Sequence, residues 1–292
     1  MKANPRCCVI VPLYQQELSD DEALSLLNTV QRCPDHAIRL LHPPQCKQLV
    51  ERIIAWFEHP QLQSHCLPAC HFTGISAYNR LLLSPRFYDT FDAFEWILIV
   101  QLDALFFGGD LSLFLDQPYS YWGAPFFLGI DQPTRPLRLL GGGNGGFSLR
   151  RVSMFQRILA RRRWLYPAIR RFEQESLPGQ PWRAAVRSWR QFFCFSGWGS
   201  VPPMFEDLFW SFIAPKLDAR FQVAPVEQAK YFSLEMEPGY FLESMQGFPL
   251  GCHAWRRHAS LFWQQQFRDH PFLIEPALKL RSSFQAHLNF SA

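Results

Sequence analysis

Three acids and a histidine carry most of the chemistry this sequence offers. Asp103 lies in EWILIVQLDALFF, Glu206 and Asp207 lie side by side in FEDLFW, and His253 sits in PLGCHAW. Ten of the twelve residues from Trp96 to Phe107 are apolar, with Gln101 and Asp103 as the exceptions. An ionised carboxylate buried in such a run costs several kcal/mol unless it is partnered, so either the strand ends there or a ligand calls for the Asp. Period-two geometry puts Gln101 and Asp103 on one side and Leu102 on the other. Two oxygen-bearing side chains therefore emerge together, at the place where a ligand would sit. The adjacent acids Glu206 and Asp207 suit a general base taking a proton from a hydroxyl, and His253 suits a metal or phosphate contact. Each has a plainer reading: a turn-forming Asp, acids complementing a helix dipole, and a structural His.

GGGNGGFSLRR (141–151) contains the spacing G-x-G-x-x-G at Gly141, Gly143 and Gly146. A dinucleotide fingerprint opens a helix early in the chain and meets an acid about 20 residues on. This stretch is mid-chain, leads into the strand-like GGFSLR and meets no acid until Glu173, which excludes NAD. Its glycines, Gly145 and Gly146 among them, still permit close backbone approach to a ligand.

The elements that must hold these residues read as an α/β domain. CCVIVPLY (7–14), AIRLL (37–41), ACHF (69–72) and WILIV (96–100) are expected strands. Between them run SDDEALSLLNTVQRC, with Ser19 and Glu22 at capping-box spacing, and CKQLVERIIAWFEH, with Leu49, Ile53 and Phe57 at four-residue steps. GISAYNRLLLSPRFYDTF reads as a helical stretch broken at Pro85. Alternating strands and helices imply parallel βαβ units, and ligands of such sheets gather at the strands' carboxyl ends, where Asp103 lies. Farther on, YSYWGAP, GGFSLR, FQVAP and YFSLE read as strands. FEDLFWSFIAPKL (205–217) and HASLFWQQQF (258–267) read as helices, and Ser153 with Gln156 is expected to cap a helix over MFQRILARRR. The whole chain, 1–292, is expected to form one domain. Residues 1–130 make a nucleotide-binding half, and 131–292 make an acceptor and catalytic half with a basic helical insertion at about 155–195.

With 48% hydrophobic and 18% charged residues the 292-residue chain is globular in composition, and its aromatic share of 16% points to a thick core. No apolar stretch reaches the roughly 18 to 20 residues of a membrane-spanning helix, and MKANPRCCVIVPLYQQ lacks a secretory cleavage pattern. A cytoplasmic protein with reduced thiols is expected. HCLPACH (65–71) invites a zinc reading, but its ligands crowd into seven residues around Pro68, and packing of a strand and turn explains it better. Net charge is +4, yet the eleven Arg and two Glu between Arg150 and Arg190 give that segment +9 and leave −5 for the rest. A basic stretch on an acidic body suggests an anionic partner, so peripheral contact of about 155–190 with an anionic membrane is one expectation. A non-catalytic module is the alternative, binding nucleic acid or membrane through RRRWLYPAIRRF (161–172); nucleic acid is the less favoured partner.

Taken together, VIVPLYQQE, GISAYNRLLL, QLDA, GNGGFSLR, EDLFW and PLGCHAW resemble the GT-A fold of nucleotide-sugar-dependent glycosyltransferases. They are most similar to a bacterial family of unassigned function that shares the last four segments in this order. The resemblance implies a mixed, mostly parallel sheet flanked by helices, related to the Rossmann fold. It implies a nucleotide-sugar donor and a glycan or lipid-linked surface-polysaccharide acceptor. Pro12, Tyr14 and Glu17 would border the nucleotide, with Asn79 beneath it and Asn144, Gly145 and Gly146 against donor or acceptor. Asp103 and His253 would hold a divalent cation, Mn²⁺ or Mg²⁺, with Gln101 beside them. Asp207 would be the base of an inverting transfer, accompanied by Glu206. The D-x-D pattern of the larger class has become Gln101-Leu102-Asp103 here, and a neutral amide in place of an acid weakens attraction to a hard cation.

Overall fold

The computed structural model describes residues 6–160 and 205–289. Four strands, three of them expected, form the parallel part of a six-stranded sheet: β1 (Cys7–Pro12), β2 (Ala37–His42), β3 (Leu62–Cys66) and β4 (Trp96–Val100). Later strands include β5 (Leu105–Phe106), β6 (Tyr121–Trp122), β7 (Phe126–Phe127), β8 (Leu139–Gly141) and β9 (Phe147–Arg151). The sheet order is β3-β2-β1-β4-β9-β6, with β9 antiparallel to both neighbours. The expected mixed, mostly parallel sheet flanked by helices is therefore present.

Continuous apolar runs form the inner strands because both faces are covered. Cys7, Val9 and Val11 of β1 join Trp96, Leu98 and Val100 of β4 in one core, while Cys8 and Ile10 join Ile97 and Ile99 in the other. At roughly 25 cal/mol per Å² of apolar surface removed from water, each such side chain contributes about 1.5–3 kcal/mol. The first core packs on α1 (Asp20–Arg32), α2 (Lys47–Phe57) and the last helix, Glu275–Asn289, whose Phe284 ring meets Trp56 at 4.9 Å. The second packs on α3 (Ile75–Leu82), α4 (Pro85–Asp89) and, beyond the short α5 (Ser112–Leu115), α6 (Val152–Ala160). Ser19 caps α1 in a complete capping box with Glu22, as its spacing predicts.

Four expectations need correction. The third strand is Leu62–Cys66, and Ala69–His71 of the expected ACHF strand is a 3₁₀ turn. This edge strand buries only Leu62 on its way out of the core, so it carries no apolar run to mark it. Ser153 does not cap α6, because β9 runs straight into a helix that already begins at Val152. FQVAP contributes a single bridge, Val223 to Tyr121, and in YFSLE only Ser233 and Leu234 are strand. The helical insertion at about 155–195 also starts too early, because Phe155, Ile158 and Leu159 of α6 are buried core residues. The remainder of that insertion, with RRRWLYPAIRRF, lies outside the described residues. Among the described residues no helix is long and apolar enough to cross a membrane.

Candidate active site

A second, three-stranded sheet collects one half of the site. It has the order β10-β11-β5, where β10 is Ser233–Leu234 and β11 is Gly251–Cys252. Leu234 pairs with Cys252, and Cys252 with Leu105, so the residues just past these pairs, Glu235, His253 and Asp103, arrive at one end of the sheet. His253 Nδ1 lies 3.0 Å from Glu235 Oε1. Its Nε2 lies 3.2 Å from both Asp103 Oδ1 and Gln101 Oε1. Burial favours the neutral ring, but Glu235 and Asp103 outweigh it and push the His253 imidazole up to about 10, so both ring nitrogens carry protons at neutral pH. Burial likewise opposes ionisation of Asp103, yet the charge and hydrogen bond of His253, helped by Arg257, hold that carboxyl below its usual range. After His253 the chain turns through Ala254, which takes the left-handed conformation with φ 45°. It then enters the helix Trp255–Asp269, which carries Arg257 to the cleft.

The other half hangs on the helix that starts at Glu206 and passes through a π turn, Phe209–Ile213. Asn79 Oδ1 accepts the Glu206 backbone N–H at 3.3 Å and caps this start from across the cleft. Asp207 Oδ1 accepts from the Leu208 N–H at 2.8 Å, and Oδ2 accepts from the Gly145 N–H at 3.4 Å. Burial, then the charges of Glu206 and Glu235, raise the Asp207 carboxyl to about 7. A carboxyl poised there is suited to accept a proton at neutral pH.

Gly145 and Gly146 stand between the two halves. The Gln101 N–H donates to the Gly146 carbonyl at 2.8 Å, extending the β4–β9 pairing by one step. Asn144 Oδ1 accepts from the Gly146 N–H at 2.8 Å and shapes the turn. A Cβ on Gly146 would fall 2.0 Å from His253 Nε2, and one on Gly145 would fall 2.2 Å from Glu206 Oε1. Both positions exclude side chains for steric reasons. The cleft above them has a volume of about 800 Å³ and also reaches Pro12, Tyr14, Asn79, Phe126 and Ile130.

Most of the expected site residues therefore line one cleft: Pro12, Tyr14, Asn79, Gln101, Asp103, Asn144, Gly145, Gly146, Glu206, Asp207 and His253. Glu17 does not line it, and the acid that does near the first helix is Glu22. Glu206 stands beside Asp207, and both its oxygens are engaged by the buried guanidinium of Arg150, at 2.8 and 3.0 Å. Asn79 lines the cleft and turns its Oδ1 to the helix start. Glu235, Arg150 and Arg257 went unread in the sequence. For Arg150 the available signal was a charge at the end of the strand-like GGFSLRR.

The donor chemistry admits a divalent cation only in part. One carboxylate oxygen, one amide oxygen and one imidazole nitrogen converge at Asp103, Gln101 and His253, with Glu235 behind the ring as an orienting carboxylate. Among the described residues no three His, Cys, Asp or Glu side chains form such a group, so the remaining ligands would have to come from the substrate or water.

The fold and cleft define an open, mixed α/β protein that collects polar residues at the carboxyl ends of its parallel strands. Residues 61–253, well over half of the chain, match the family described as "Protein of unknown function (DUF5672)", and the chain belongs to that family. No curated protein matches it. Among solved structures it is similar to the apo-form glycosyltransferase GlyE of Streptococcus pneumoniae TIGR4, at 11% identity and a TM-score of 0.49, over 97% of this chain and 63% of that one. It is similar to the WbbM bifunctional glycosyltransferase, also at 11% and 0.49, over 98% of this chain and 52% of that one. The galactosyltransferase LgtC, solved with donor and acceptor sugar analogs, gives 11% and 0.49 over 93% and 95% of the two chains. The chain thus spans less than two thirds of the first two. None of these overlaps assigns a role to a residue here.

Proposed function

We propose that the chain is a GT-A-type glycosyltransferase, moving a sugar from a nucleotide-sugar donor to a hydroxyl of a glycan or lipid-linked surface-polysaccharide acceptor with inversion. The observation that carries this reading is a pair of aspartates flanking Gly145 and Gly146 in one cleft. Asp103 is held ionised against His253, and Asp207 is raised to about 7. An acidic site built to move a proton needs titratable groups driven apart in this way.

In this mechanism the acceptor hydroxyl attacks the anomeric carbon in line while its proton passes to Asp207. The bond to the diphosphate breaks on the opposite face, and negative charge grows on the leaving oxygen. His253 and Arg257 supply positive charge on that side, Gln101 an amide, and the glycine backbone lets the diphosphate approach closely. Pro12, Tyr14 and Asn144 border the donor. Asp103 and Gln101, with a His253 that has released its Nε2 proton, would hold a divalent cation, which would then supply the positive charge against the diphosphate in place of the imidazolium. Both oxygens of Glu206 are occupied, so catalysis falls to Asp207 alone.

A thermal-shift panel of nucleoside diphosphates and nucleotide sugars, with and without Mn²⁺, tests the proposal, because a ligand that binds only the native state raises stability by mass action. At least one nucleotide sugar should raise Tm and, with an acceptor, release its diphosphate. A flat response across the panel would overturn the reading.

A further inference from the structure

Arg150 opens the basic segment that runs to Arg190, yet it is fully buried. Its guanidinium lies near the rings of Tyr121 and Phe155, at 5.6 and 5.7 Å. An arginine carries five N–H donors in a fixed fork, and all five find acceptors here. Nε donates to Ser148 Oγ at 3.0 Å, Nη1 to Tyr88 Oη at 3.1 Å and Glu206 Oε2 at 3.0 Å, and Nη2 to Glu206 Oε1 at 2.8 Å and the Gly145 carbonyl at 3.2 Å. One side chain thus ties the α4 helix, the glycine turn and the first residue of the Glu206 helix to β9.

Stability alone is a weak reason for such a group, because a buried ion pair can often be replaced by apolar residues of similar volume without loss. What the fork does uniquely is join both sides of Asp207. Arg150 grips Glu206, the residue before it. It also grips the carbonyl of Gly145, whose own N–H points to the Asp207 carboxylate. The Ser148 hydroxyl donates to the same Gly145 carbonyl at 2.7 Å, and the absence of a Cβ at Gly145 lets Glu206 pack against its backbone.

We propose that Arg150 is a positioning residue, fixing the Gly145 turn and the start of the Glu206 helix so that Asp207 presents its carboxylate to the cleft. The inference rests on the glycosyltransferase reading of Asp207. Lysine can keep the charge but not the planar fork, so it cannot hold both partners in one geometry.

The test compares the wild-type chain with R150K and with the double variant R150M/E206M, which removes both charges together and leaves neither buried alone. Circular dichroism and Tm establish that each is folded. With nucleotide sugar and acceptor, kcat should fall on the order of 100-fold in each, the size of effect expected from a small misplacement of a reacting group, while KM for the donor stays nearly constant. The acid limb of the pH profile should also move away from the wild-type position. A folded variant with wild-type kcat and an unmoved acid limb would reduce the pair to a structural contact.

A second readout needs no turnover. In protein labelled with ¹⁵N-glycine, the Gly145 amide should shift as Asp207 titrates, and D207N identifies that step. In R150K the step should lose most of its amplitude, and a step of wild-type amplitude would overturn the positioning role. If the wild-type chain releases no diphosphate from any donor, the glycosyltransferase reading fails, while the amide readout still decides whether Arg150 positions Asp207.

Discussion

Asp103 and Asp207 lie on either side of two successive glycines, share one cleft, and are driven in opposite directions. Burial alone would raise both, but an imidazolium braced by Glu235 touches Asp103, and it stays ionised. Among the described residues Asp207 has no cation of its own. Its neighbour Glu206 has captured Arg150, so burial and adjacent negative charge leave it holding a proton up to about 7. The lesson is that the place of the nearest cation, rather than depth alone, divides an acid that stays ionised from one fit to take a proton.

The largest expected effect comes from removing the raised acid. Asp207→Asn should cut diphosphate release by roughly 10²–10⁴-fold, the usual span for a general base. The same variant should gain stability at alkaline pH. Because folding raises the Asp207 carboxyl, the native state binds that proton more tightly than the unfolded chain, and stability is lost as pH rises from the ordinary carboxylate range towards 7. Asparagine escapes that loss, so urea unfolding at pH 8 should show a gain on the order of 1–2 kcal/mol.

Next in size is Gly146→Ala, whose Cβ would fall 2.0 Å from His253 Nε2. The ring must move off Asp103, and overpacking of this kind costs about 1–3 kcal/mol, readable as a fall in urea midpoint and as lost donor affinity. The pH profile sharpens the contrast further. Turnover should rise with pH through about 7 as Asp207 gives up its proton, with no second acid limb from Asp103, which is already ionised there. The smallest effects concern the cation. Glu235→Gln should weaken Mn²⁺ binding by roughly 10–100-fold, as loss of an orienting carboxylate does, and Gln101→Asp should strengthen it, both measured by titration calorimetry.

Much of the Asp103 side was legible in the sequence, because WILIV is a buried strand whose apolar run stops where the ligand site begins. Asp207 was legible from the paired acids of FEDLFW. Glu235 was not, since its strand is two residues long and follows a helix, so no alternation frames it. Arg150 was hidden for a different reason. Six arginines, Arg150, Arg151, Arg157 and Arg161 to Arg163, sit in one basic run, and composition alone cannot tell which guanidinium turns inward. The structure sends Arg150 to Glu206 and Arg157 to Asp218, so part of the apparent surface charge is internal. The edge strand Leu62–Cys66 escaped because only its first residue is buried.

The comparison is tested most directly by steady-state release of nucleoside diphosphate in D103N and D207N, each measured against the wild-type chain across pH with a donor identified by thermal shift. D103N should raise KM for the donor and keep an acid limb near 7, whereas D207N should lower kcat and abolish that limb. Equal turnover and the same acid limb in wild type and D207N would contradict the account.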